Sequence, residues 1–390
     1  MTTENQPTRR QLLRTGALAV GVAGTAPSLA LGRHRVRQSG AERSYSTRTL
    51  DLVGESLVVD MLCPFTLAGS TSQAWYGNPA NIPDSYFDDL KRSGIHVLHD
   101  AKGTLGIGAK TAVLTMAAAV NGIIAHHSHR LFRVAEAADL DRAQRGERVG
   151  VIFGIQNADH FETVDDVDLF FGLGQRISQL TYNDRNRIGT GATDRRDGGL
   201  SDFGVAIIER MNRLGMAVDV SHCGDRTSLE AFEASQKPVL VTHSTVRALA
   251  AGHVRCKPDE VIDAVGRAGS VFGVTGVRMF VKADEPTTIE HVLDHFDYVR
   301  DRIGPEHLGI GSDIDLYGYD AMPQTALAQL RGAYTKGKYN FRDRLDITGL
   351  DHPLRVFDLT EGLLARGWSK ADVVGVLGGN FRRVLTEIWG

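Results

Sequence analysis

Two histidines set 21 positions apart, His222 at the end of AVDVSH and His243 at the end of PVLVTH, are the residues of this chain best placed to do chemistry. Each follows a short apolar run, the pattern of a buried strand whose last residue is held at the rim of a parallel sheet, where substrates and metals bind. Two neutral imidazoles at the ends of neighbouring strands suit one borderline metal such as zinc, which takes nitrogen and oxygen ligands at about 2.0–2.2 Å. A third run, HLGIGSDID, ends on Asp313, Ile314 and Asp315. A carboxylate there suits a metal ligand, or a base that passes a proton from water to a leaving amine. The same carboxylate would also serve as an acceptor for nearby backbone amides.

The elements that must carry these residues are legible in the hydrophobic pattern. The runs SLVVD (56–60), GIHVLH (94–99), VGVIFGIQ (149–156), RISQLTY (176–182), AVDVSH (217–222), PVLVTH (238–243), SVFGVTG (270–276) and HLGIGSDID (307–315) predict eight strands. Between them, stretches such as 204–215 and 289–304 repeat apolar residues at three- and four-residue spacing and predict helices. Strands alternating with helices, each strand nearly continuous in apolar residues, point to a parallel sheet covered by helices. Eight repeats point to a closed (β/α)8 TIM barrel rather than an open sheet. An open doubly wound sheet would place a glycine-rich phosphate loop after its first strand, and SLVVDMLCPF has none.

Residues 1–30 read as an export signal. Arg9 and Arg10, followed by Gln11, Leu12 and Leu13, form a twin-arginine pattern, and Ser28, Leu29 and Ala30 supply small residues for cleavage. The expected location is the periplasm or the exterior, with no membrane-spanning segment retained after cleavage. Residues 31–49 read as a linker and 50–390 as the barrel with closing helices. Residues 316–351, rich in Gly, Tyr, Lys and Arg, read as a long loop or lid over the barrel mouth. Ser369 and Asp372 have the spacing of a capping box ahead of a helix. A net charge of −3 over 390 residues, with both signs interspersed, leaves no basic face for nucleic acid. Three scattered cysteines, Cys63, Cys223 and Cys256, exclude a disulfide scaffold.

The run VDVSHCGDRTSLEAFEASQKPVLVTHSTVRAL (218–249), with Arg255, LGIGSDID (308–315) and GGNFRRVL (378–385), resembles the membrane dipeptidase family of the amidohydrolase superfamily. LTYNDRNRIGTGATDRRDGGLSDFG (180–204) is similar to its bacterial members. The resemblance implies a barrel of the metal-dependent amidohydrolase type, often a homodimer, that cleaves dipeptides at a two-zinc centre. It implies that His222 and His243 hold the second metal, that Asp315 is the catalytic aspartate, and that Arg255 grips the substrate carboxylate. Where the family often has a substrate-binding histidine, this chain has Tyr182, whose phenol can donate to an oxyanion.

The ligands of the first metal are replaced. The family's H-x-D positions fall on Leu62 and Pro64, which cannot coordinate through their side chains, and the bridging glutamate falls on Gln156. A glutamine offers one neutral carbonyl oxygen and lacks the charge that lets a carboxylate bridge two dications. The expectation is therefore a hydrolase of dipeptides or similar small amides with one zinc at His222 and His243, assisted by Gln156, Asp315, Tyr182 and Arg255. A second zinc would need new ligands, for which the cluster His96, His99 and Asp100 at the end of the second strand, or Cys63, is the candidate. Two other outcomes of such ligand loss are a barrel repurposed as a lyase or isomerase of a small carboxylate, and a binding protein without turnover.

Overall fold

The computed structural model describes residues 33–38, 41–104, 106–146, 148–334, 339 and 341–390. The export signal expected in residues 1–30 lies outside them. Within the expected linker, β1 (Arg33–Gln38) and β2 (Ala41–Ser46) pair as an antiparallel hairpin. Ser46 then caps helix Thr47–Glu55 by accepting from Thr49 N–H, and Glu361 accepts from the Ser46 hydroxyl at 2.9 Å. The linker expectation is thus corrected: this segment is structured and tied to helix Arg355–Ala365.

The remaining strands are β3 (Val59–Asp60), β4 (Val97–Lys102), β5 (Leu131–Arg133), β6 (Val149–Ile155), β7 (Gln175–Gln179), β8 (Ala217–Asp219), β9 (Val241–Ser244), β10 (Phe272–Val274) and β11 (Leu308–Ile310). Their order is β8-β7-β6-β4-β3-β11-β10-β9, parallel throughout, and a parallel bridge from Asp219 to Leu240 joins the two ends. The eight expected strands therefore make a closed (β/α)8 barrel. The short β5 is an addition that pairs with the start of β6.

Alternation along the strands divides the core in two. Val59, Val97, Ile152, Ile177, Ala217 and Leu240 share one cluster inside the barrel, while Val58, Leu98, Val151, Phe153, Val218 and Val241 belong to the layer under the helices. Helix Asn380–Trp389 closes the barrel floor, with Phe381 packed in the interior cluster. A Cβ on Gly309 would come within 2.2 Å of the Phe381 ring, so β11 needs glycine where the plug meets the sheet. The capping box forms as expected, with Ser369 Oγ accepting from Asp372 N–H at 3.1 Å. The 316–351 segment is more than a loop: it carries helix Gln324–Tyr334. Cys63, Cys223 and Cys256 are free and buried.

Candidate active site

At the mouth, β8 and β9 are stapled by one carboxylate. Asp219, fully buried, accepts from Ser221 N–H and Oγ–H and from Thr242 N–H and Oγ1–H, at 2.6–3.2 Å. A buried charge persists when its lone pairs are filled in this way. The staple sets the backbone on which His222 and His243 stand, and their Nε2 atoms meet 3.0 Å apart.

Hydrogen bonding decides which nitrogens carry protons. Thr242 spends its hydroxyl proton on Asp219, so its oxygen accepts from His243 Nδ1–H at 2.8 Å. The side-chain Oδ1 of Asn183 accepts from His222 Nδ1–H at 2.7 Å. Both Nε2 atoms therefore present lone pairs to each other. Burial, reinforced by the nearby Arg255 guanidinium, holds both imidazoles well below the ordinary 6.5, so neither supplies a shared proton at neutral pH. Facing lone pairs at 3.0 Å repel unless a cation lies between them, and that distance is within the span of two zinc–nitrogen bonds. The two nitrogens would fit a metal ion as ligands. Among the described residues no group of three or more His, Cys, Asp and Glu side chains is arranged as a metal site.

Local backbone geometry supports this pair. Asn183 adopts a left-handed conformation, φ 60°, which asparagine tolerates better than most residues. Gly191, in the GTGATD run, lets it pass: a Cβ there would lie 2.0 Å from the Asn183 carbonyl oxygen. Tyr182 stacks on His222 with ring centroids 4.2 Å apart and planes 20° apart.

A cavity of about 60 Å³ opens at His222, which lines it together with Tyr182 and Asp313. Asp313, also in a left-handed conformation, donates its N–H to the Leu62 carbonyl. Burial raises its carboxyl to about 7, Arg255 opposing and Asp60 adding to the rise. Such a group exchanges protons near neutral pH.

Of the residues expected at the site, the structure brings together His222, His243 and Tyr182. Three others have different duties. Asp315 accepts from the backbone N–H groups of Leu67, Tyr317 and Gly318 at 2.9–3.0 Å, which makes it the organiser of two loops and leaves Asp313 facing the cavity. Arg255 is 1 % exposed, and its two terminal nitrogens donate to the carbonyls of Ser221 and His243. Its fork therefore tightens the two histidine strands. Gln156 donates its amide N–H to the Ala101 carbonyl at 3.0 Å, binding β6 to β4. The replacement-ligand candidate His99 donates its Nδ1–H to the Met61 carbonyl at 2.7 Å, and its buried Nε2 has no hydrogen-bond partner. Cys63 is a fully buried thiol pushed up to about 12 by burial and held 3.2 Å from Arg355.

Sequence reasoning passed over Asn183 and Tyr339, and of the Asp313–Asp315 pair it gave its weight to Asp315, whereas Asp313 is the one that lines the cavity. The signal for Asn183 was present in the TYND run. That for Tyr339 was not, because its contact spans 156 positions.

Comparison with known proteins agrees with the fold and with the family resemblance. Residues 92–327 match the family model described as membrane dipeptidase, peptidase family M19. Dipeptidase verJ of Clonostachys rogersoniana is 30% identical over 272 residues, 69% of this chain and 63% of that protein. Dipeptidase 3 of Mus musculus is 28% identical over 255 residues, 64% of this chain and 46% of that protein. The match thus spans between about half and two thirds of these relatives' lengths. An amidohydrolase from Pseudomonas aeruginosa superposes with a TM-score of 0.75 at 29% identity, over 88% of this chain and 99% of the other. A Rhodobacter sphaeroides metallo peptidase, solved with a phosphinate mimic of L-Ala-D-Ala, shares the fold with a TM-score of 0.70 at 18% identity, covering 86% of this chain and 100% of that one. On the family match and the barrel together, the chain belongs to the membrane dipeptidase family, peptidase family M19.

Proposed function

We propose that this protein hydrolyses a dipeptide or a similar small amide with one zinc ion held by His222 and His243. The observation that carries the reading is the pair of Nε2 lone pairs converging at 3.0 Å, each fixed by an acceptor behind it. A zinc bound there supplies Lewis acidity to a carbonyl. The chain's own residues do the rest. Asp313 takes a proton from the attacking water as oxygen adds to the carbonyl carbon, then returns it to the amine nitrogen as the C–N bond breaks. Tyr182 packs against His222 and limits its rotation. Apolar Leu62, with Gln156 tied to β4, stands where the relatives' first-metal ligands are expected, which favours one metal over two. The expected export and homodimer are carried forward as parts of the same proposal.

Elemental analysis of the protein, stripped of loose ions, tests the reading alongside a His222→Ala/His243→Ala control and a dipeptide hydrolysis assay. One metal per chain, lost in the control and accompanied by turnover, is the expected result. Two metals would mean that replacement ligands exist. No metal, or metal without turnover on any amide, would replace the hydrolase with a metal-free enzyme or a binding protein.

A further inference from the structure

The apolar side of the cavity is built by the segment that covers the barrel mouth. Met279 and Phe280, after β10, face Tyr319, Tyr339, Phe341 and Leu345. None of these carries a charge, so an ionised substrate group packed against this wall, away from Asp313, would lose its hydration without gaining a partner. A compact apolar group would lose nothing and gain contacts.

One of these residues also reaches the imidazole pair. The Tyr339 hydroxyl donates to Asn183 Oδ1 at 2.6 Å, the same oxygen that accepts from His222 Nδ1–H at 2.7 Å. Its ring is held edge-on by Phe280, centroids 5.4 Å apart, and lies parallel to Phe341 at 6.0 Å. His253 Nε2 contacts its carbonyl oxygen at 3.3 Å. Contacts to the ring thus fix the hydroxyl, the hydroxyl fixes the asparagine amide, and the amide fixes which nitrogen of His222 is protonated.

We infer that Tyr339 is a positioning residue for His222 and belongs to a wall that selects a compact apolar side chain on the substrate. The substrate half rests on the proposed amide hydrolysis. The contact through Asn183 stands apart from it.

The test separates the two halves. Phosphinate mimics of dipeptides carrying a leucine, aspartate or lysine side chain, which are not hydrolysed, are titrated by calorimetry into the protein as purified. The affinity of the His222–His243 pair for zinc is read in parallel by competition with a chelator. The leucine mimic is expected to bind about tenfold or more tighter than the charged ones. Tyr339→Phe is expected to keep that preference, because the ring remains, and to weaken zinc binding about tenfold or more. Phe341→Ala is expected to do the reverse, losing preference while zinc affinity stays unchanged. Equal binding of the three mimics overturns the apolar wall. Unchanged zinc affinity in Tyr339→Phe overturns the positioning role. Selective binding of the leucine mimic with no hydrolysis of leucyl dipeptides supports the wall and sinks the hydrolase reading instead.

Discussion

The two aspartates at the end of β11 show how far neighbouring carboxylates can diverge. Asp313 lines the cavity with its carboxyl raised to about 7, whereas Asp315, also raised by burial, is engaged by three backbone N–H groups that oppose the rise. Asp313→Asn is therefore expected to lower turnover by about 10²–10⁴ while leaving metal content intact. In the unaltered protein, turnover should rise as pH passes upward through about 7, because only the ionised carboxylate accepts a proton. That limb should be missing from a pH–rate profile of the variant. Asp315→Asn should instead lower the unfolding midpoint. Behind His243, Thr242→Val removes the acceptor for Nδ1–H and is expected to weaken metal binding about 10–100-fold, read by competition with a chelator.

At the level of elements, the barrel is closed by two buried carboxylates. Asp219 joins β8 to β9, and Asp60 joins β3 to β11 by accepting from Ser312 N–H and Oγ–H. Asp60 also pairs with Arg355 at 3.1 Å, both side chains fully buried, which fastens helix Arg355–Ala365 to that seam. Breaking one partner of such a pair leaves an uncompensated charge, so Asp60→Ala is expected to cost about 3–5 kcal/mol in urea unfolding. The apolar runs made the eight barrel strands readable. The three residues of β5 are too few to show a period, and β1 and β2, RHRVRQ and AERSYS, have the composition of a solvated linker.

For the molecule as a whole, buried neutral histidines tie stability to pH. His160, packed between Phe161 and Phe170, is lowered to about 3 by burial, and His295 to about 4. In the unfolded chain each takes up a proton below about 6.5 that the folded chain refuses, so its contribution is whole above that pH and shrinks as the pH falls toward the folded value. Asp313 and Asp346, held up to about 7 and about 6, act in the opposite sense, so the clean measurement is a difference between variants. Relative to His160→Gln, the unaltered protein should lose about 1.4 kcal/mol per pH unit between pH 6 and 4. Urea midpoints at three pH values would show it, and parallel curves would refute it.

The sequence by itself determined the barrel, the two histidines on adjacent strands and the family. These are local matters: an apolar run specifies a buried strand, and a strand that ends on histidine offers it at the rim. Only the tertiary structure decided that Asp313 rather than Asp315 meets the cavity, since one peptide's left-handed turn sends the two carboxylates different ways. Only it showed Arg255 spent on backbone carbonyls, and Asn183 gripped by Tyr339 from 156 positions away. Hydrogen-bond partners are chosen by where closed strands and a covering segment happen to meet, and no spacing within a single run encodes that.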